Sequence, residues 1–188
     1  MKLRESNPAL LLIDFQKGFD DEAYWGGNRN NKDAEVKAAE ILSIWRELDL
    51  PIYHIIHSSQ DPKSRLHQSH AGFEICDQLK PVEGEPLIIK NVNSAFIGTD
   101  LKERLDSNGI TDLVIVGLTT NHCISTTARM AGNYGYKVIL IEDATATFDR
   151  MGIKGEKYPA EMIHQISLCN LKDEFASIMN TAQLLKTI

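Results

Sequence analysis

Strand-length apolar runs alternate with stretches of helical periodicity along this chain, and that alternation is the strongest constraint on its fold. The runs are Ala9–Ile13, Ile52–Ile56, Leu87–Ile89, Leu113–Val116 and Val138–Ile141. Each is continuously apolar, the pattern expected of strands buried on both faces of a parallel sheet. A weaker run, Glu174–Ile178, is expected to add a sixth strand. Between the runs, Asp33–Leu48 places Val36, Ile41, Ile44, Trp45 and Leu48 near one helical face. Asp100–Asn108 carries Leu101 and Leu105, and His122–Tyr134 carries Ile124, Thr127, Ala128 and Ala131; Gly109 and Gly135 follow as helix-ending residues. Pro159–Leu171 opens on a helix-starting proline and is read with Met162, Ile163 and Ile166 facing inward. Strands alternating with helices predict an α/β fold: three layers, with a six-stranded, mostly parallel sheet covered by helices on both sides.

A chain of 188 residues with no repeat, linker or low-complexity tract is read as one domain, residues 1–188. Its 43% hydrophobic residues suffice for a core without metal or disulfide staples. A formal net charge of −6 gives no electrostatic footprint for nucleic acid or an anionic membrane, so neither is expected as a partner. The ALLLI run near the start is too short for a signal-peptide core and leads straight into Asp14. Cys76, Cys123 and Cys169 are odd in number, widely spaced and free of any CxxC pair, a reducing-compartment pattern; a cytoplasmic location is expected.

In open α/β sheets, ligands sit beyond the carboxyl ends of the strands. Asp14 follows the first run, His57 the second, Lys90 the third, and Gly117-Leu118-Thr119-Thr120-Asn121-His122-Cys123 the fourth. Cys123 falls near the first turn of a helix, where unpaired N–H groups and the macrodipole favour a thiolate and can bind an oxyanion. By position alone it is more readily a buried structural cysteine, as most free cysteines are. Asp14 is readable as a cap, a loop residue or a base, and Lys90 as a solvated charge at a strand end. Taken together the three form a chemically complete set. A carboxylate can accept a thiol proton and return it to a leaving group, and an ammonium can hold the developing charges beside a sulfur nucleophile.

These segments resemble the isochorismatase-like hydrolase superfamily, also called the cysteine hydrolase family, with its nicotinamidases and N-carbamoylsarcosine amidohydrolase. The resemblance rests on Ala9–Gln16, Lys90–Leu101, Gly117–Cys123 continuing through Thr126, Ala128 and Arg129, and Ile141–Phe148. It implies a six-stranded parallel sheet, with Asp14 as proton shuttle, Lys90 as electrostatic partner and Cys123 as nucleophile. It also implies a cis peptide between Leu118 and Thr119 that turns the Thr119 and Cys123 amides toward an oxyanion. A homodimer or homotetramer, a small-molecule substrate and no cofactor complete what it implies.

Two departures narrow the chemistry. Family members that cleave the isochorismate vinyl ether typically lack the cysteine, so Cys123 points to an amide, ureido or lactam C–N bond. Metal-dependent nicotinamidases carry an Asp-x-His pair after the second strand, whereas this chain reads His57-Ser58-Ser59-Gln60-Asp61-Pro62, with His67 and His70 beyond. No metal is expected, although a metal-assisted amidase and a catalytically silent binding protein remain alternatives. His57 is expected to touch substrate, His122 to point away from the site, and His164 to lie on a helix face. Phe15, Trp25, Phe96 and Phe148 are candidates for an apolar slot or for core packing. Glu142 and Asp143 are read as tying loops together. Arg150, Lys157 and Tyr158 lie in a loop that can cap the pocket, and Cys76 and Cys169 are expected to be inert.

Overall fold

The structure, a computed structural model, describes residues 3–188. Its strands and helices in chain order are β1 (Ala9–Ile13), α1 (Glu22–Trp25), α2 (Ala34–Glu47), β2 (Ile52–His57), β3 (Leu87–Lys90), α3 (Leu101–Ser107), β4 (Asp112–Leu118), α4 (Ser125–Asn133), β5 (Lys137–Ala146), β6 (Arg150–Met151), β7 (Lys157–Tyr158), α5 (Ala160–Leu171), β8 (Ser177–Met179) and α6 (Thr181–Leu185). Six strands form one sheet in the order β3-β2-β1-β4-β5-β8, and every neighbouring pair is parallel. β6 and β7 form a separate antiparallel pair.

The expected α/β class follows from how the apolar runs divide. In β1, Ala9, Leu11 and Ile13 join the core beneath α3, α4 and α5, while Leu10 and Leu12 join the core beneath α2 and α6. β4 divides likewise, Leu113 and Ile115 one way, Val114, Val116 and Leu118 the other. A strand with a core on each face must be apolar at every position, which is why the alternation typical of half-exposed strands is missing. β3 departs from this. As an edge strand it exposes Leu87 and Ile89 to 45% and 50%, and turns Ile88 and Lys90 inward. The apolar run there was no sign of two-sided burial.

Helix boundaries match the sequence signals closely, but two helical faces do not. α3 and α4 end before Gly109 and Gly135, with φ of 65° and 89°. α2 buries Ala34, Ala38, Ile41, Leu42 and Trp45, so Val36 and Leu48 lie outside the stripe that the larger apolar residues had suggested. Small alanines let the helix lie close to the sheet, and the Trp45 indole N–H donates to the Pro8 carbonyl at 3.0 Å. α5 is rotated against expectation: Met162 and Ile166 are 46% and 54% exposed, while Ala160, His164, Leu168 and Leu171 are buried. His164 sets that rotation, its Nδ1 lying 2.8 Å from Thr120 Oγ1 in the segment that carries Cys123. A buried polar pair outweighs the outward-facing methionine and isoleucine, because leaving either partner unsatisfied costs more than exposing an aliphatic side chain.

The chain runs outward from β1 through β2 to β3, then returns to the other side of β1 for β4, β5 and β8. Chain direction across the sheet therefore reverses between β1 and β4, and ligand crevices in such sheets open at that reversal. Asp14 follows β1, and Cys123 follows β4. No helix among the described residues is long and apolar enough to cross a membrane.

Candidate active site

Asp14 leaves β1 with a φ of 56°, its N–H donating to the Ile55 carbonyl of β2 at 2.8 Å. Gln16, buried at the start of the next turn, clamps the end of β2. Its Oε1 accepts from the His57 N–H at 2.9 Å, and its Nε2 donates to the His57 carbonyl at 3.1 Å and the Phe73 carbonyl at 3.0 Å. Lys90 ends β3 directly across from His57 in the parallel register. Beyond β4 the Leu118–Thr119 peptide is cis, as the resemblance implies, and Thr120–Ile124 form a π-helical turn that presents Cys123 before α4 begins.

These connections converge on one ammonium. Lys90 Nζ lies 2.7 Å from Asp14 Oδ2, 3.2 Å from His57 Nδ1 and 3.3 Å from Cys123 Sγ. Asp14 and Lys90 are wholly buried and Cys123 is 8% exposed. An ammonium has three N–H bonds, and here each has an acceptor. Asp14 Oδ1 is buried without a hydrogen-bond partner among the described residues, leaving one carboxylate oxygen free to take a proton. Asn93 Oδ1 stands 3.8 Å from the sulfur on the other side.

Burial and the Asp14 carboxylate push the Cys123 thiol up, and Lys90 opposes them only in part. Burial and the neighbouring carboxylate thus favour the thiol, against the thiolate expected of a helix start. Burial works against the Lys90 ammonium, but its neighbours, the Asp14 carboxylate foremost, outweigh that and raise it above an ordinary lysine. Burial, followed by the Lys90 charge, lowers His57, which is neutral near pH 7 and accepts from Lys90 through Nδ1.

Asp14, His57 and Cys123 offer ligand atoms within 4.8 Å of one another, spacing that would suit a metal ion. Lys90 Nζ contacts all three of these groups. The donor set for a cation is already serving one built into the chain. A metal there would have to displace the ammonium, and the site's chemistry fits the lysine better.

A pocket of about 260 Å³ opens onto Cys123. Phe19, Tyr24, Trp25 and Leu66 form its apolar wall. Its polar lining comes from His57, Ser59, Asp61, Ser64, Asn93, Thr119 and His122. Of the aromatic candidates only Trp25 reaches this lining. Phe148 packs behind it, ring centroids 6.2 Å apart, and Phe15 and Phe96 are buried in the two cores. Leu118 is fully buried, so only Thr119 of the cis pair faces the pocket. His122 does not point away: its Nδ1 lies 3.1 Å from Thr119 Oγ1 and its Nε2 3.3 Å from Asn121 Nδ2. The π-helical turn, which an α-helical reading of the segment omits, accounts for the difference.

Phe19, Tyr24, Ser59, Asp61, Ser64, Leu66 and Asn93 were given no role from the sequence. Asn93 lay within the Lys90–Leu101 segment and Ser59 just past His57, so strand-end position was a usable signal for both. His54 lies outside the pocket and faces Glu85, 2.8 Å away; burial lowers it. Asp143 ties β5 to α6, accepting from the Thr181 N–H and hydroxyl at 2.8 Å each. Cys76 is pushed up to about 12 by burial, in keeping with an unreactive thiol.

Fold and site together define an α/β protein with a buried carboxylate, ammonium and thiol gathered where the strand order reverses. The isochorismatase domain model matches residues 8–183, and the chain belongs to the isochorismatase family. It is 48% identical over 181 residues to the uncharacterized isochorismatase family protein YrdC of Bacillus subtilis, covering 96% of each chain. It is 28% identical to Nicotinamidase 3 of Arabidopsis thaliana, over 96% of this chain and 88% of that one. Among solved structures, an isochorismatase-family protein from Chromobacterium violaceum superposes with a TM-score of 0.94 at 38% identity, covering 100% of this chain and 96% of the other.

Proposed function

We propose that this isochorismatase-family protein is a cysteine hydrolase that cleaves a C–N bond of a small amide, ureido or lactam compound through a thioester on Cys123. The observation that carries this reading is the contact of one buried ammonium with both Asp14 and Cys123. The Asp14 carboxylate accepts the thiol proton as Cys123 Sγ bonds to the substrate carbonyl carbon. The carbonyl oxygen takes the displaced electron pair and is held by the Thr119 and Cys123 amides. As the oxyanion collapses the C–N bond breaks, and Asp14 returns the proton to the departing nitrogen. Water then attacks the thioester, its proton passing through Asp14 to the sulfur, and the acid leaves. Lys90 keeps its proton throughout and steadies the negative charge as it moves between oxygen and sulfur.

The similarity to a nicotinamidase supports an amide carbonyl as the group attacked. Intact mass spectrometry after brief exposure to a panel of small amides and ureido compounds, beside Cys123→Ala, tests the reading. An acyl adduct on the native chain alone is expected. Product formed at an undiminished rate by Cys123→Ala would overturn it.

A further inference from the structure

The charges around the pocket extend that reading from reaction to substrate class. Asp61 is the one lining residue, apart from the catalytic cluster and the neutral histidines, that carries a formal charge. Its Oδ1 accepts from the Lys63 N–H at 2.9 Å, and it makes no ion pair among the described residues. No lysine or arginine lines this pocket. Lys90, behind the sulfur, has its three N–H bonds committed and no exposed surface, so it cannot receive a substrate carboxylate. Arg65, on the same loop as Asp61, is held by Asp21 at 2.7 Å and lies 5.0 Å from the Tyr24 ring centroid. Burial, followed by the Arg150 charge, depresses His122, but Arg150 lines the adjoining cleft, which shares Tyr24 and Trp25 with the pocket. Phe19, Tyr24 and Trp25 pack together as the aromatic part of the lining, and aromatic faces attract cations.

We propose that the pocket selects its substrate by charge, taking amides whose end remote from the scissile bond is cationic and rejecting those that carry a carboxylate, with Asp61 and the Phe19-Tyr24-Trp25 wall receiving the cation. This rests on the assignment of Cys123 as the pocket's nucleophile, and its test separates the two. Three methanethiosulfonates that differ only in the group they deliver, aminoethyl, ethyl and sulfonatoethyl, are reacted with the full chain at low ionic strength. Labelling of Cys123 is followed by peptide mass spectrometry, with exposed Cys169 as internal reference and each rate normalised to that of 2-mercaptoethanol.

The cationic reagent should modify Cys123 faster than the anionic one by on the order of tenfold, the neutral reagent falling between them. Asp61→Asn, which keeps the turn-forming oxygen, should bring the ratio most of the way to unity. Equal rates, or a ratio unmoved by Asp61→Asn, would overturn the charge proposal and leave the nucleophile assignment standing. An anion preference abolished by Arg150→Gln would overturn it too, by giving control of the field to the hairpin. No labelling of Cys123 by any reagent, with Cys169 fully modified, would overturn the nucleophile assignment and the charge proposal with it.

Discussion

Lys90 Nζ and Asp14 Oδ2 stand 2.7 Å apart, both side chains wholly excluded from solvent. Such a pair is costly to desolvate and more costly to break, because removing one partner strands the other's charge. Lys90→Met is therefore expected to destabilise the fold by about 3–5 kcal/mol. Asp14→Asn with Lys90→Met removes both charges and should recover much of that loss. Both variants should be inactive, the double one included. Urea denaturation paired with turnover checks this; a double variant no more stable than Lys90→Met would mean that packing, not stranded charge, sets the cost.

His57 bears on the same ammonium. Its Nδ1 accepts from Lys90, a role the Asn amide oxygen can take and a leucine cannot. His57→Leu should lower kcat about tenfold or more, and His57→Asn distinctly less. Burial and the Lys90 charge hold the imidazole below its ordinary value, so it gains a proton only at a pH under 6.5. A folded-state value below the unfolded one means the favourable contact is present above pH 6.5 and lost as pH falls through the lowered value. The acidic limb of the rate profile should accordingly change shape in His57→Asn. An identical limb in both proteins would remove His57 from it.

The fold was legible because apolar runs record two-sided burial directly, and Asp14, Lys90 and Cys123 were legible because strand ends converge in parallel sheets. What sequence periodicity could not supply was rotation. α5 turns on one hydrogen bond, His164 to Thr120, and α2 on alanines that read as weakly apolar. The pocket wall was legible only at Trp25. Phe19 lies in a single 3-10 turn and Tyr24 in the one-turn helix α1, both too short for a period to relate position to direction, and Phe148 supports the wall from behind, 6.0 Å from Phe19. His122 was misplaced because a π-helical turn shifts its direction relative to an α-helix.

The ammonium at the centre of Asp14, His57 and Cys123 also bears on metal dependence. Exhaustive dialysis against a chelator should leave turnover unchanged, since the positive charge is part of the chain. Loss of activity that zinc restores would favour the metal-assisted mechanism instead. Lys90→Ala vacates the centre of that donor set and should bind zinc more tightly than the native chain, measurable by calorimetry.

Just ahead of the amino end of β3, Glu85 joins Arg46, 2.7 Å from its Nε, and His54, 2.8 Å from its Nε2. Burial works against the carboxylate, but hydrogen bonds from Arg46, the Val82 N–H and His54 outweigh it and hold it at about 2. A folded value depressed from 4.5 gives stability that is present above that pH and lost as pH falls toward about 2. Glu85→Gln should cost about 2 kcal/mol at neutral pH, the gap to the native chain closing through that window. A gap that is constant from neutral pH to pH 3 would mean the loss is one of packing.

Gly117 pairs with Ile13, the residue before Asp14, and a Cβ on it would sit 1.9 Å from the Ile13 carbonyl oxygen. Its φ of 136° is also one that L side chains rarely adopt. Both effects fall where β1 and β4 hand the chain over to Asp14 and to the turn bearing Cys123. Gly84 separates them, since its φ is 91° but a Cβ there meets nothing within 4 Å. Gly84→Ala should cost about 1 kcal/mol, from backbone conformation alone. Gly117→Ala must also force two strands apart, and is expected to cost more than about 3 kcal/mol. It should disturb the reactivity of Cys123 toward thiol reagents at temperatures where the fold persists, because the separation of Asp14 from the sulfur is set by this strand pair. Equal destabilisation by the two substitutions would show that β1 and β4 can yield at this point without strain.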